Sequence, residues 1–176
     1  MTAPESSESE TPFGLRWGVK RSFVEYIRRM PDGKGAAGSG AVSVGDDEIC
    51  FAPEVSGRRP DANGGEERFW AFRGDVRFSG HFGMLFVRLA DPMLHMQGNG
   101  EAELTVDDPE KEGEENRLPL VTLRLARQES PVEVEIWQGS EVRLSEPGTG
   151  LFNNVYPPGE PFEPLTLVVP VVPEEN

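Results

Sequence analysis

A chain of 176 residues is long enough for one domain with a buried core. It carries 17 basic against 31 acidic side chains, a formal net charge of −14, which argues against nucleic acid or an acidic membrane surface as its main partner. Its single cysteine, Cys50, excludes an internal disulfide and a cysteine zinc site, and between Ile49 and Phe51 it reads as a small buried hydrophobe.

The first stretch, MTAPESSESETP, is acidic and polar. It has nothing to bury, so residues 1–12 are expected to be a disordered tail, with a single domain over 13–172. A secretory signal starts basic and then turns apolar, and this stretch does neither. No apolar run approaches the ~20 residues of a membrane span. A cytoplasmic location is the expectation from these features.

WGVKRSFVEYIRRM follows. At 100° per residue Val19, Phe23, Tyr26 and Met30 fall within about 60° of one another, with Ile27 beside them. Arg21, Glu25 and Arg28 lie opposite. Pro31 and Gly33 stop the pattern, which predicts a helix at about 18–29. Arg16, Lys20, Arg21, Arg28 and Arg29 are five of the chain's 17 basic residues, a local excess in an acidic protein.

PDGKGAAGSG reads as a flexible glycine-rich turn. It lacks the G-K-[ST] ending of a phosphate loop. AVSVGDDEICFAPE predicts one or two strands, and RRPDANGGEE a loop. Trp70, Phe72, Val76 and Phe78 then alternate with Ala71, Arg73, Asp75 and Arg77, a period-two pattern with one apolar face. Gly80 and Gly83 flank His81 and predict a turn or bulge, after which Leu85, Val87 and Leu89 continue in a second strand. Residues 107–116 hold six acids and one lysine, the composition of a solvated hairpin tip. LPLVTLRLARQ and VEVEIWQGSEVRL alternate as strands. PLTLVVPVVP closes the chain as a strand whose prolines suggest a sheet edge. Many short strands with one helix predict an all-β fold, an antiparallel sandwich or partly open barrel carrying that helix.

Catalytic signatures are sparse. Two histidines, His81 and His95, and no G-x-S-x-G leave no nucleophilic triad. No H-E-x-x-H is present. Ser22 and Tyr26, one helical turn apart, share an edge of the predicted helix. By pattern alone Tyr26 reads as a core tyrosine with its hydroxyl at the rim, His81 as a turn histidine, and the basic residues as a solvated helix face.

LRWGVKRSFVEYI, then FRGDVRFSGHFGML, then LSEPGTGLFNNVYPPGEPFEPLTL resemble the HtaA domain family, haem-binding domains of corynebacterial haem-uptake proteins. The resemblance covers about residues 13–168 and implies a β-rich fold with a short helix. It implies a ferric haem as cofactor, with Tyr26 as the axial ligand and His81 hydrogen-bonded to the phenolate. It implies Ser22 near the haem propionates and Tyr156 as a further pocket residue. Lys20 and Arg29, with Arg16 and Arg21, would supply positive charge to the propionates. The expected function is non-catalytic haem binding, for sequestration or for transfer to or from a partner protein. The alternative is a binding module of the same fold for another apolar ligand or a protein partner. A haem-dependent enzyme ranks third.

Overall fold

The computed structural model describes residues 13–45, 48–61, 63–108 and 117–171. The expected tail at 1–12 and most of the acidic stretch at 107–116 lie outside the described residues. The elements are β1 (Gly14–Trp17), α1 (Arg21–Arg29), β2 (Lys34–Gly38), β3 (Ala41–Val44), β4 (Glu48–Pro60), β5 (Glu66–Arg73), β6 (Asp75–Gly80), β7 (Leu85–Ala90), β8 (Met93–Met96), β9 (Glu101–Asp107), β10 (Arg117–Gln128), β11 (Val134–Leu144) and β12 (Leu165–Pro170).

Eight strands in the order β1-β12-β11-β10-β9-β8-β5-β4 form a closed antiparallel barrel. The short strand β1 closes it, pairing with β12 through Gly14↔Val168 to Trp17↔Leu165 and with β4 through Leu15↔Phe51 to Trp17↔Ile49. Closure leaves the ladder without an open edge where β1 sits. The barrel interior is filled by inward side chains from alternate positions, among them Leu15, Trp17, Trp70, Phe72, Leu94, Leu104 and Leu167, all at 1% exposure or less. The Trp70 and Trp137 rings lie 5.5 Å apart, and the Arg68 guanidinium sits 4.7 Å over Trp70 while both its hydrogen bonds go to Glu135.

The expected all-β class with one helix is what the chain adopts, and the barrel is fully closed. A second, three-stranded sheet, β2-β6-β7, carries α1. The helix buries Phe23 and Ile27, four residues apart on one face. The Phe23 ring meets Phe78 of β6 edge-on at 5.3 Å and Phe152 at 5.2 Å, so the helix is held between the small sheet and the 3-10 segment Pro147–Phe152. Burying a side chain of this size stabilises by about 1.5–3 kcal/mol.

Five expectations need correction. The helix starts at Arg21, three residues later than the periodicity suggested. Val19 has a left-handed φ of 61° and its carbonyl accepts from the Glu163 amide, so the chain reaches Lys20 still extended. The apolar alternation from Trp70 to Phe78 spans two strands in two different sheets. Its four apolar residues all face inward, but the chain switches sheet at Gly74, whose φ of 152° leaves no room for a Cβ. β12 is an interior strand between β1 and β11 despite its prolines, because Pro170 stands at its last position. Finally, the glycine-rich stretch after the helix contains β2, which pairs with β6 from Lys34↔Ser79 to Gly38↔Asp75. The 58–67 loop also shortens, since β4 and β5 stay paired as far as Pro60↔Glu66.

Candidate functional site

α1 and His81 are linked through a single strand pairing. α1 ends at Arg29, the chain turns through Pro31–Gly33, and β2 runs back along β6. β6 ends at Gly80, where the 3-10 turn His81–Gly83 begins. Gly80 lies against Met30 so closely that a Cβ would come 2.5 Å from the Met30 Sδ. The residue after the helix therefore touches the residue before the histidine.

This brings the Tyr26 hydroxyl to 2.5 Å from His81 Nε2, with the rings tilted at 53° and their centroids 5.8 Å apart. Tyr26 is 42% exposed, although its helix is otherwise anchored by buried neighbours. The pair therefore stands at the surface. His81 and Phe82 both have left-handed backbones, φ 51° and 55°, which aim the imidazole back at the helix.

Ser22, one turn before Tyr26, lies near enough to the Tyr156 hydroxyl to favour its ionised form. Tyr156 is half-buried against Phe152 and Phe162. Burial pushes its phenol above the ordinary range, with Glu160 and Tyr26 adding to the rise and Ser22 opposing it. Ser22, Tyr26, His81 and Tyr156 thus form one cluster along the helix edge. Arg29, three residues beyond Tyr26 on that edge, is exposed and forms no ion pair with any described residue.

Lys20 has a different setting. It is 8% exposed, and its ammonium binds Glu160 at 2.9 Å and the Pro161 carbonyl at 2.9 Å, over the Tyr156 and Phe162 rings. Its charge is spent inside the protein, where it ties the helix start to the 157–164 segment. Arg16 sits on β1 and pairs with Glu48 at 3.5 Å. Large apolar side chains surround the Tyr26–His81 pair in sequence and stay uncovered: Phe82 at 96% and Met84 at 86% exposure follow His81, and Val155 adjoins Tyr156.

His95, for which the sequence suggested no partner, sits on the outer face of the barrel. It contacts Glu67, Arg59 and Thr105 in an open groove of about 830 Å³ that contains neither Tyr26 nor His81. Burial, with Arg59 and Arg117 nearby, holds its imidazole below the ordinary value of 6.5 against the pull of Glu67. Cys50 is buried, and burial pushes its thiol up, as suits an inert core cysteine.

A sequence profile of the HtaA family, described as Htaa, matches residues 13–168. The chain belongs to the HtaA family. Solved structures of HtaA domains share its fold. The C-terminal domain of HtaA from Corynebacterium glutamicum is 26% identical, with a TM-score of 0.71, covering 89% of this chain and 94% of that one. The N-terminal domain of the same protein is 23% identical, with a TM-score of 0.68, covering 88% of this chain and 95% of that one. The haem-binding protein HtaB from C. glutamicum is 18% identical, with a TM-score of 0.60, covering 88% and 90%. No curated protein matches the chain.

Proposed function

We propose that this HtaA-family domain binds ferric haem without turnover, through the Tyr26 oxygen, and serves to sequester or hand on the haem. The observation that carries the reading is the Tyr26–His81 pair, a surface phenol 2.5 Å from an imidazole nitrogen. A free phenol ionises near pH 10 and is a poor ligand at neutral pH. Ferric haem supplies a metal that favours an anionic oxygen, as in catalase-type ligation. His81 handles the proton. With the phenol protonated, its O–H donates to Nε2. With the phenolate, the Nε2–H donates back to the oxygen and stabilises its charge.

The neighbouring residues fit a flat apolar ligand with two carboxylates. Phe82 and Met84, which follow His81 in the chain, and Val155, next to Tyr156, offer uncovered apolar surface. Arg29 and the Ser22 hydroxyl lie on the same helix edge as Tyr26 and are suited to the propionates. Lys20 is left out of that role because Glu160 already holds it. Because Tyr26 is a surface residue, the seat is open on one side, which suits exchange with a donor or acceptor protein. Membership of the family, and the shared fold with a haem-binding protein, support haem as the ligand.

Titrating hemin into wild type, Tyr26→Phe and Tyr156→Phe, read by absorbance, tests the proposal. Wild type is expected to give a Soret band with phenolate-to-iron charge-transfer bands. Tyr26→Phe is expected to lose those bands and most specific binding. Tyr156→Phe, which leaves the Tyr26–His81 pair intact, is expected to keep them. Charge-transfer bands that survive in Tyr26→Phe and vanish in Tyr156→Phe would assign the ligand to Tyr156.

A further inference from the structure

The turn that aims His81 is unusual for its composition. Two successive residues with side chains, His81 and Phe82, are left-handed, a conformation that L-residues rarely adopt without external support. Within the turn, the Met84 amide donates to the His81 carbonyl at 3.0 Å. The Phe82 amide points away from this turn. It donates to Asp32 Oδ2 at 2.6 Å, across 50 residues of chain.

Asp32 reaches that place through strand register. β2 and β6 pair Lys34 with Ser79, and continuing the antiparallel register two residues further sets Asp32 opposite His81. Gly33 is held by the hydrogen bond its amide donates to the Met30 carbonyl, and a Cβ there would strike the Ile27 carbonyl. The helix end, Asp32 and the histidine turn are therefore one packed unit.

We infer that Asp32 is a positioning residue for the Tyr26–His81 pair: its carboxylate clamps the Phe82 amide and so holds the left-handed turn that aims His81 at the Tyr26 oxygen. The Phe82 amide also holds the Asp32 carboxyl below the usual carboxylate range, so the clamp is ionised at neutral pH. Nothing in this geometry requires Asp32 to touch a ligand. The consequence for haem rests on the function proposed above, whereas the consequence for the pair does not.

The test uses Asp32→Ala and Asp32→Asn, the latter keeping a side-chain oxygen that can accept from the amide. In the ligand-free protein, NMR reads hydrogen exchange at the Phe82 amide and the nuclear Overhauser contact between the Tyr26 and His81 rings. With hemin, stopped flow reads its release to an excess of apo-myoglobin. Asp32→Ala is expected to lose the amide protection and the ring contact, and to release hemin about tenfold faster, in the range seen when groups behind a metal ligand are removed. Asp32→Asn is expected to restore all three towards wild type. A ring contact that persists in Asp32→Ala would overturn the inference, and so would faster release with Phe82 protection unchanged. If Tyr26→Phe bound hemin like wild type, the haem reading would fall. The Asp32 inference would then be decided by the ring contact in the ligand-free protein.

Discussion

The Tyr26 hydroxyl and His81 Nε2 meet at 2.5 Å although 55 residues separate them. The contact joins the helix to the turn after β6, and neither residue is buried. A bond at an exposed site adds little to stability, since water competes for both partners. Its value lies in what it does to the phenol oxygen.

Removing the imidazole should therefore weaken haem binding without abolishing it. His81→Ala is expected to bind hemin about 10–100-fold more weakly, roughly 1.4–2.8 kcal/mol, through faster release. Tyr26→Phe with His81→Ala should be little worse than Tyr26→Phe alone, because the two act as a unit. A double-mutant cycle of hemin dissociation at fixed pH makes the comparison. Strictly additive losses would mean that the two side chains do not act together.

Acid should destabilise the fold in two stages. His95 has its imidazole held below 6.5 by burial, so the unfolded chain binds its proton first. That contribution is complete above about pH 6.5 and falls away as the pH drops towards the folded value, with a slope of at most about 1.4 kcal/mol per pH unit. Burial raises Glu67, Asp75 and Glu135, but their arginine partners, with His95 and Trp137, outweigh it and hold them below the ordinary carboxylate values. Their stabilisation is present above about pH 4.5 and is lost as the pH falls through the lowered values. Glu103, raised by burial and by Glu67, works in the opposite sense. Urea unfolding midpoints measured from about pH 7 to pH 3 should decline gently and then steeply. His95→Gln should flatten the first part and leave most of the second, which Asp75, Glu135 and the Arg59 bond to Glu67 still supply. A midpoint that is flat from pH 7 to 5 in wild type would remove His95 from this account.

Gly74 is the hinge between the barrel and the small sheet. A Cβ at φ 152° would lie 2.6 Å from the Ala41 Cβ and 2.7 Å from Phe51 Cδ2. Gly74→Ala is expected to cost about 2–4 kcal/mol, combining backbone strain with overpacking. Chemical denaturation measures it. A loss below about 0.5 kcal/mol would show that the β3–β4 corner yields easily.

Much of the architecture was legible in the chain. Alternation marked the strands, and the inward faces of Trp70, Phe72, Val76 and Phe78 were read correctly because burial acts on each side chain separately. The helix face was legible in part: Phe23 and Ile27 are buried, whereas Tyr26, grouped with Phe23 by periodicity, is exposed. The first turn of the helix was not legible, because Val19 and Lys20 are held by partners some 140 residues away in the chain. Sheet membership was equally hidden. A period of two states which way a residue faces and carries no information about the strand beside it. The change of sheet at Gly74 therefore left the pattern undisturbed.

The residue types of the candidate site could be singled out from the chain through its family resemblance, and their geometry could not. Tyr26 and Ser22 share a helix edge by local periodicity alone. His81 joins them only through β2, a strand of small residues in a glycine-rich stretch with no pattern of its own. β2 forms because β6 offers it a ladder, and that register sets Asp32 opposite His81. Lys20 shows the converse. Its charge and position matched a surface role, and folding placed Glu160 and Pro161 around it instead. Local sequence determines which face a side chain takes, because backbone geometry repeats over a few residues. Which distant groups it meets is decided by strand pairing and closure of the barrel, which are properties of the whole chain.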